Sequence, residues 1–231
     1  MIQNKRDLGG LKTRDGKTVR MGMLVRSANL AQAEEDDLDG IATIIDLRSN
    51  GERNEVPDRT CGREYLAMPI FNEINEGISH EEEAEQRAVI PEMDVLYGML
   101  MRRYTDSFRR VLMAVMQRDY SNGAVLWHCS EGKDRCGMTT ALILEALDVD
   151  RKTILEDYLK TNLVNIPKAE KIREQLLATQ GEEMANGAYR AYIADEKYIR
   201  AAWNEMGDDY IRDRLGIPEE VIAHFRETVL E

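Results

Sequence analysis

A chain of 231 residues can enclose one sizeable core with a helical extension, and is short for two full domains. With 43% apolar and 32% charged residues it has the composition of a soluble globular protein rather than a disordered one. A formal charge of -12 argues against a nucleic-acid surface and against stable membrane association, because both need clustered Lys and Arg. It leaves room for a phosphorylated substrate, since one local positive pocket can oppose the global sign.

Three cysteines, Cys61, Cys129 and Cys136, cannot all pair, which points to free thiols in a reducing compartment. The first residues, Met1 to Asp7, contain no apolar signal core, and no run approaches the length of a spanning helix. The expected location is the cytoplasm, with export without a cleaved signal left open.

In chain order, Gly9 to Thr13 and Val19 to Val25 read as strands around an Asp15-Gly16 turn. The segment from Gly10 to Thr18 misses the nucleotide-binding loop pattern by one residue between its glycines, so a hairpin is the better account. Ile41 to Asp46 is a short β-branched run, expected as a buried strand, and Arg63 to Met68 is a weaker strand before Pro69. Glu81, Glu82, Glu83 and Glu85 begin an acidic helix that Pro91 breaks. Met93, Leu96, Leu100, Tyr104, Phe108, Leu112 and Val115 then recur at spacings of three and four, predicting one long amphipathic helix. Ala124 to His128 is a second buried strand, Met138 to Leu147 is helical, and Asp150 caps a helix through Leu159. The remainder is helical, punctuated by Pro167, Gly181, Gly187, Gly207, Gly216 and Pro218.

The chemistry lies where a strand meets a helix: His128-Cys129-Ser130-Glu131-Gly132-Lys133-Asp134-Arg135. Successive backbone N–H groups of such a loop can curl around a phosphate, and the helix adds the positive end of its dipole. Gly132 permits the positive φ of an anion nest, and Arg135 offers a planar fork to two equatorial oxygens. The same field favours a thiolate: helix N-termini and cations can bring a cysteine from about 8.5 to roughly 3.5–7.5. The site that binds the dianion thus also makes the nucleophile, with no metal or cofactor required.

His-Cys-x5-Arg resembles the signature of the protein tyrosine phosphatase superfamily. The fuller His-Cys-x-x-Gly-Lys-Asp-Arg is similar to a bacterial tyrosine-phosphatase-like group acting on phosphotyrosine, phosphoserine/threonine and, in some members, phosphoinositides. Arg6-Asp7-Leu8-Gly9-Gly10, Arg26-Ser27-Ala28-Asn29-Leu30, Asp46-Leu47-Arg48-Ser49 followed by Glu52, Asp157-Tyr158-Leu159, and Tyr210-Ile211 to Leu215-Gly216 resemble that group in order. Residues 72 to 95 match nothing in it. The resemblance implies Cys129 as nucleophile, Arg135 as phosphate clamp, Ser130, Glu131, Gly132 and Lys133 as further phosphate-binding positions, and Asp134 as general acid. Asp46 is the runner-up, as acid or orienting group. Val56-Pro57-Asp58 reads as a turn rather than an acid-bearing loop, and Asp94 falls within the expected long helix.

Two departures stand out. Cys136 occupies the place where the signature usually has Thr or Ser, a weaker donor that also suggests a modulating or redox role. Glu131 places a negative charge in the loop, favouring phosphoprotein over polyphosphoinositide substrates.

The expected architecture is a single α/β domain over 1–231, a mostly parallel sheet flanked by helices. Residues 72–117 form a helical insertion that also suits a lid, and residues 164–231 a helical tail. The expected activity is cysteine-dependent hydrolysis of phosphomonoesters, phosphotyrosine foremost, on phosphorylated proteins or small phosphoesters. The rivals are a phosphoinositide or inositol phosphate phosphatase and a catalytically weak phospho-binding module. Sulfur transfer and arsenate reduction are more distant, and oligomeric state is not specified by the sequence.

Overall fold

The computed structural model describes residues 1–71 and 92–231. The expected acidic helix from Glu81, its break at Pro91 and residues 72–91 of the expected insertion lie outside the described residues. Five strands form one sheet: β1 (Arg6–Asp7), β2 (Leu24–Ser27), β3 (Ile41–Asp46), β4 (Glu64–Ala67) and β5 (Ala124–His128), in the order β1-β2-β5-β3-β4. All neighbours are parallel except β1 against β2. The architecture is therefore α/β with a mostly parallel sheet.

Every residue of β5 is buried, as a central parallel strand covered on both faces must be. Val125 and Trp127 join the larger core with Phe108, Leu112 and Leu142, whereas Ala124 and Leu126 join a smaller one with Leu30, Leu38 and Ile44. The alternation is the period of two at work on a strand with apolar layers on both sides. Trp127 satisfies its buried ring nitrogen by donating to Thr140 Oγ1 at 3.0 Å.

The register sets the site. Ser27 of β2 and Asp46 of β3 both stand level with His128 at the end of β5, so three carboxyl ends converge on one edge. Open α/β sheets bind ligands at such an edge.

Around the sheet lie α1 (Asn50–Glu55), α2 (Met93–Arg103), α3 (Thr105–Met116), α4 (Asp134–Ala146), α5 (Arg151–Leu159), α6 (Asn162–Thr179), α7 (Glu182–Tyr192), α8 (Glu196–Met206) and α9 (Glu219–Val229). Asp150 caps α5 as expected, its carboxylate accepting from the amides of Lys152 and Thr153. The expected long helix is instead two. Tyr104 leaves helical geometry at φ -110°, ψ 28°, and its ring packs on Phe71 with centroids 5.5 Å apart. Apolar spacing continues across the break, so periodicity alone could not reveal it.

Of the hairpin expected near the start, one isolated bridge joins the arms, Lys12 with Thr18, while Thr13 and Val19 bridge to Val149 and Leu230 and the regular strand begins only at Leu24. The turn itself is present, with Gly16 at φ +87° and its amide donating to Thr13 O. In the tail, Gly181, Gly207 and Pro218 do mark helix ends. Pro167 does not: it lies inside α6, past the first turn, and the helix runs on through it at the cost of one backbone bond.

Candidate active site

Residues 129–133 bridge β5 to α4, and Cys129 sits at the floor, 2% exposed. The loop's carbonyls are held from outside. Ser130 O accepts from Asn29 N at 3.2 Å and Asn29 Nδ2 at 3.0 Å. Asn4 Nδ2 reaches Glu131 O at 3.1 Å and Gly132 O at 3.0 Å, and Arg26 Nη2 donates to Gly132 O at 2.6 Å. With three successive carbonyls engaged this way, the opposite, amide-bearing face is the one suited to an anion. Gly132 takes φ +66°, and a Cβ there would stand 2.6 Å from Ser27 O, so both conformation and space require glycine.

Arg26 is itself anchored. Its Nη1 lies 2.9 Å from Asp157 Oδ2, and Arg6 Nε lies 2.7 Å from Asp157 Oδ1. Burial would push the Asp157 carboxyl up, but Arg26 and Arg6 hold it below the usual carboxylate range. The Arg6, Arg26 and Asp157 segments, far apart in sequence, are one buried support beneath the loop.

Arg135 is aimed by Glu52. Glu52 Oε2 accepts from Nη1 and Oε1 from Nη2, both at 2.6 Å, while Ser130 Oγ donates to Oε1 at 2.5 Å. The carboxylate also closes a capping box on α1, accepting from Ser49 N at 2.9 Å while Ser49 Oγ accepts from Glu52 N. This Nη1/Nη2 pairing leaves the Nε edge of Arg135 for a ligand. Burial raises the Glu52 carboxyl, but Arg135 and Ser130 outweigh it and bring the group down to about 2. A folded-state value below the ordinary 4.5 means that its stabilisation is complete above that pH and lost as pH falls toward 2. Glu52→Gln should therefore lose less stability than the parent between pH 5 and 3, measured by chemical denaturation at each pH.

Asp134 is the first residue of α4, with 28% of its side chain exposed. Its Oδ1 accepts from Tyr97 OH at 2.7 Å and lies 3.2 Å from Lys133 Nζ. Lys133 itself turns into the protein. It is 1% exposed, donates to the carbonyls of Ala191 and Ile193, and lies 5.8 Å above the Tyr198 ring. Its side chain therefore bonds α7–α8 backbone, and any contribution to phosphate binding falls to its amide. Glu131 points away as well, toward Lys168 Nζ at 2.5 Å, a cation that also lies over the Tyr192 ring.

Asp46 is fully buried behind the loop. It accepts from Arg48 Nε at 3.0 Å, Arg48 Nη2 at 2.7 Å and Tyr65 OH at 2.6 Å. Burial pushes its carboxyl up, but Arg48 and the other donors hold it far below the usual range. Asp58, from the Val-Pro-Asp turn, joins this cluster by accepting from Arg48 Nη2 at 2.5 Å and Leu30 N at 2.7 Å. His128 Nε2 lies 3.2 Å from Asp58 Oδ2 but outside hydrogen-bonding angles. Asp46, Asp58 and His128 bring potential ligand atoms within 4.8 Å of one another. Arg48 already donates to both carboxylates, so a cation there would have to displace a guanidinium.

Cys136, fully buried, directs its thiol to Trp127 O at 3.7 Å. Burial pushes that thiol up to about 11, which keeps it a neutral packing group. Asp94 lies on α2, and its carboxylate accepts from the adjacent Val95 amide.

Glu52 stands in the resemblance without a role, and the sequence does not single out Tyr97 at all. Glu52 carried a local signal, the Ser49-x-x-Glu52 capping box, which announces a helix start but not the arginine it serves. Tyr97 carried none: it lies beside the expected apolar stripe and is buried on the same helix.

Among the described residues no helix is long and apolar enough to cross a membrane. The chain is 31% identical to a Cupriavidus necator protein whose name assigns it to the tyrosine-protein phosphatases, over 94% of this chain and 82% of that one. It is 28% identical to the triple specificity protein phosphatase PtpB of Mycobacterium tuberculosis, over 99% of this chain and 86% of that protein. A tyrosine-protein phosphatase of Nostoc commune is 26% identical over 87% of this chain and 72% of its own length. Residues 1–231, the entire chain, match the tyrosine phosphatase family. Fold, loop and relatives agree, and the chain is an enzyme of the tyrosine phosphatase family.

Proposed function

We propose that this phosphatase hydrolyses phosphotyrosine foremost, with phosphoserine and phosphothreonine, through a phosphocysteine formed on Cys129. The observation that carries the reading is the loop from Cys129 to Arg135. Its carbonyls are engaged from outside by Asn4, Arg26 and Asn29, and its arginine is oriented by Glu52. The thiolate of Cys129 attacks phosphorus in line, a P–S bond forms and the P–O bond to the leaving group breaks. Asp134 gives its proton to the departing oxygen. Water then attacks the phosphocysteine, Asp134 takes a proton back, and the thiolate leaves with inorganic phosphate released. The amides of residues 130 to 135 and the Arg135 fork hold the equatorial oxygens throughout. Asp46 acts through position only: buried under Arg48 and Tyr65, it orients the layer behind the loop.

A phosphoinositide or inositol phosphate substrate is the second reading, and one contact favours it. Lys168 neutralises Glu131, offsetting the charge that would otherwise repel a polyanionic head group. The relative named for triple specificity keeps a broad substrate range in view.

The test is kcat/KM for a phosphotyrosine peptide, a phosphoserine peptide and a soluble phosphoinositide, with vanadate as inhibitor. Phosphotyrosine should lead and vanadate should compete with it. A phosphoinositide ahead of both peptides would replace the first reading by the second. Binding without phosphate release would replace both by a phospho-binding module.

A further inference from the structure

Asp134 meets an unusual cradle of aromatic side chains. Tyr97 on α2, Tyr158 on α5 and Tyr198 on α8 converge beneath the Lys133-Asp134 pair, with ring centroids 6.2 Å apart for Tyr97 and Tyr158 and 5.7 Å for Tyr97 and Tyr198. All three rings are buried. Tyr97 OH donates to Asp134 Oδ1 at 2.7 Å and lies 2.7 Å from Tyr158 OH. Because the Tyr97 proton is committed to the carboxylate, Tyr158 must be the donor between the two hydroxyls. The result is a directional chain, Tyr158 to Tyr97 to Asp134. Lys133 Nζ, held by the carbonyls of Ala191 and Ile193, approaches the same Oδ1 at 3.2 Å.

The hydroxyl that donates and the ammonium that pairs thus lie at one oxygen. A carboxyl group carries its proton on the oxygen that is not already accepting, because a hydroxyl oxygen is the poorer acceptor and its hydrogen would meet the incoming donors. Oδ2 is then the oxygen that holds the proton. A side chain with one oxygen tied to a hydroxyl and paired with an ammonium also loses the freedom to present the wrong one.

We propose that Tyr97, supported by Tyr158, is a positioning residue that assigns the transferable proton of Asp134 to Oδ2. This rests on the reading of Asp134 as general acid. The consequence is chemical rather than merely structural. A correctly placed acid matters greatly for a leaving group that departs poorly as an anion and little for one that departs easily.

The experiment compares Tyr97→Phe, Tyr158→Phe, Asp134→Asn and the Tyr97→Phe/Asp134→Asn double variant on phenyl phosphate and p-nitrophenyl phosphate. The two substrates form the same phosphocysteine, so kcat/KM isolates the step in which the leaving group departs, and the ratio of kcat/KM values is unaffected by the fraction of folded enzyme. Tyr97→Phe should lower kcat/KM for phenyl phosphate about 10-fold or more and for p-nitrophenyl phosphate less than 3-fold. Tyr158→Phe should show the same pattern more weakly. In the double variant, Tyr97→Phe should add nothing to Asp134→Asn on phenyl phosphate. Equal losses on both substrates in Tyr97→Phe, or full additivity in the double variant, overturn the positioning role while leaving Asp134 as acid. If Asp134→Asn itself shows no dependence on leaving group, the acid assignment fails and the proposal falls with it.

Discussion

Replacing Cys129 by serine is expected to lower kcat on aryl phosphates by more than about 10³-fold while changing substrate affinity only a few-fold. The asymmetry follows from where the contacts lie. The loop is shaped by Asn4, Asn29 and Arg26 acting on its carbonyls, and Arg135 is oriented by Glu52. None of these bonds involves the sulfur. A serine oxygen at the same place leaves those backbone contacts intact but attacks phosphorus far less readily, because a hydroxyl is a much weaker acid and poorer nucleophile than a thiol. Turnover in single-turnover assays and affinity from calorimetry with a phosphopeptide check the two halves separately. A variant retaining a tenth of parental kcat would mean that Cys129 is not the group attacking phosphorus. Loss of binding and turnover together would mean instead that the sulfur shapes the nest.

What the sequence exposed and what it concealed divide along a physical line. The strand Ile41–Asp46, the strand Ala124–His128, the Asp150 cap and the Cys-x5-Arg loop are local statements, written in adjacent residues. Chemistry confined to one strand–loop–helix turn can be read in one window. The supports of that turn cannot. Glu52 reaches Arg135 across 83 positions, Arg26 reaches Asp157 across 131, and Tyr97 reaches Asp134 across 37. Each is an ordinary polar residue in its own neighbourhood, and only the converging strand ends at Ser27, Asp46 and His128 bring them together. The same limit explains Lys133 and Glu131. Their places in the motif suggested a phosphate contact, but side-chain direction depended on tail helices α6, α7 and α8, which offered Lys133 two carbonyls and Glu131 a lysine. Residues 168, 191 and 193 thus set the direction of two side chains in the Cys129–Arg135 loop.

Asp157→Ala is expected to be the most destabilising single polar substitution beneath the loop, by about 3–5 kcal/mol. Asp157 is 3% exposed and pairs with two guanidinium groups, Arg26 at 1% side-chain exposure and Arg6 at 16%. Removing it leaves two like charges facing each other under low dielectric, and Arg26 has no route to solvent. For a domain of this size that energy corresponds to a fall in Tm of roughly 6–20 °C. A pair of apolar substitutions separates stability from function. Asp157→Leu combined with Arg26→Met removes a buried charge together with its partner, leaving Arg6 to turn outward, so most of the lost Tm should return. Activity should not return with it, because methionine cannot donate to Gly132 O, the bond that fixes the carbonyl behind the anion nest. Recovery of kcat/KM alongside Tm would show that Arg26 serves only to balance Asp157. Recovery of Tm with kcat/KM still depressed would place Arg26 in the support of the phosphate loop.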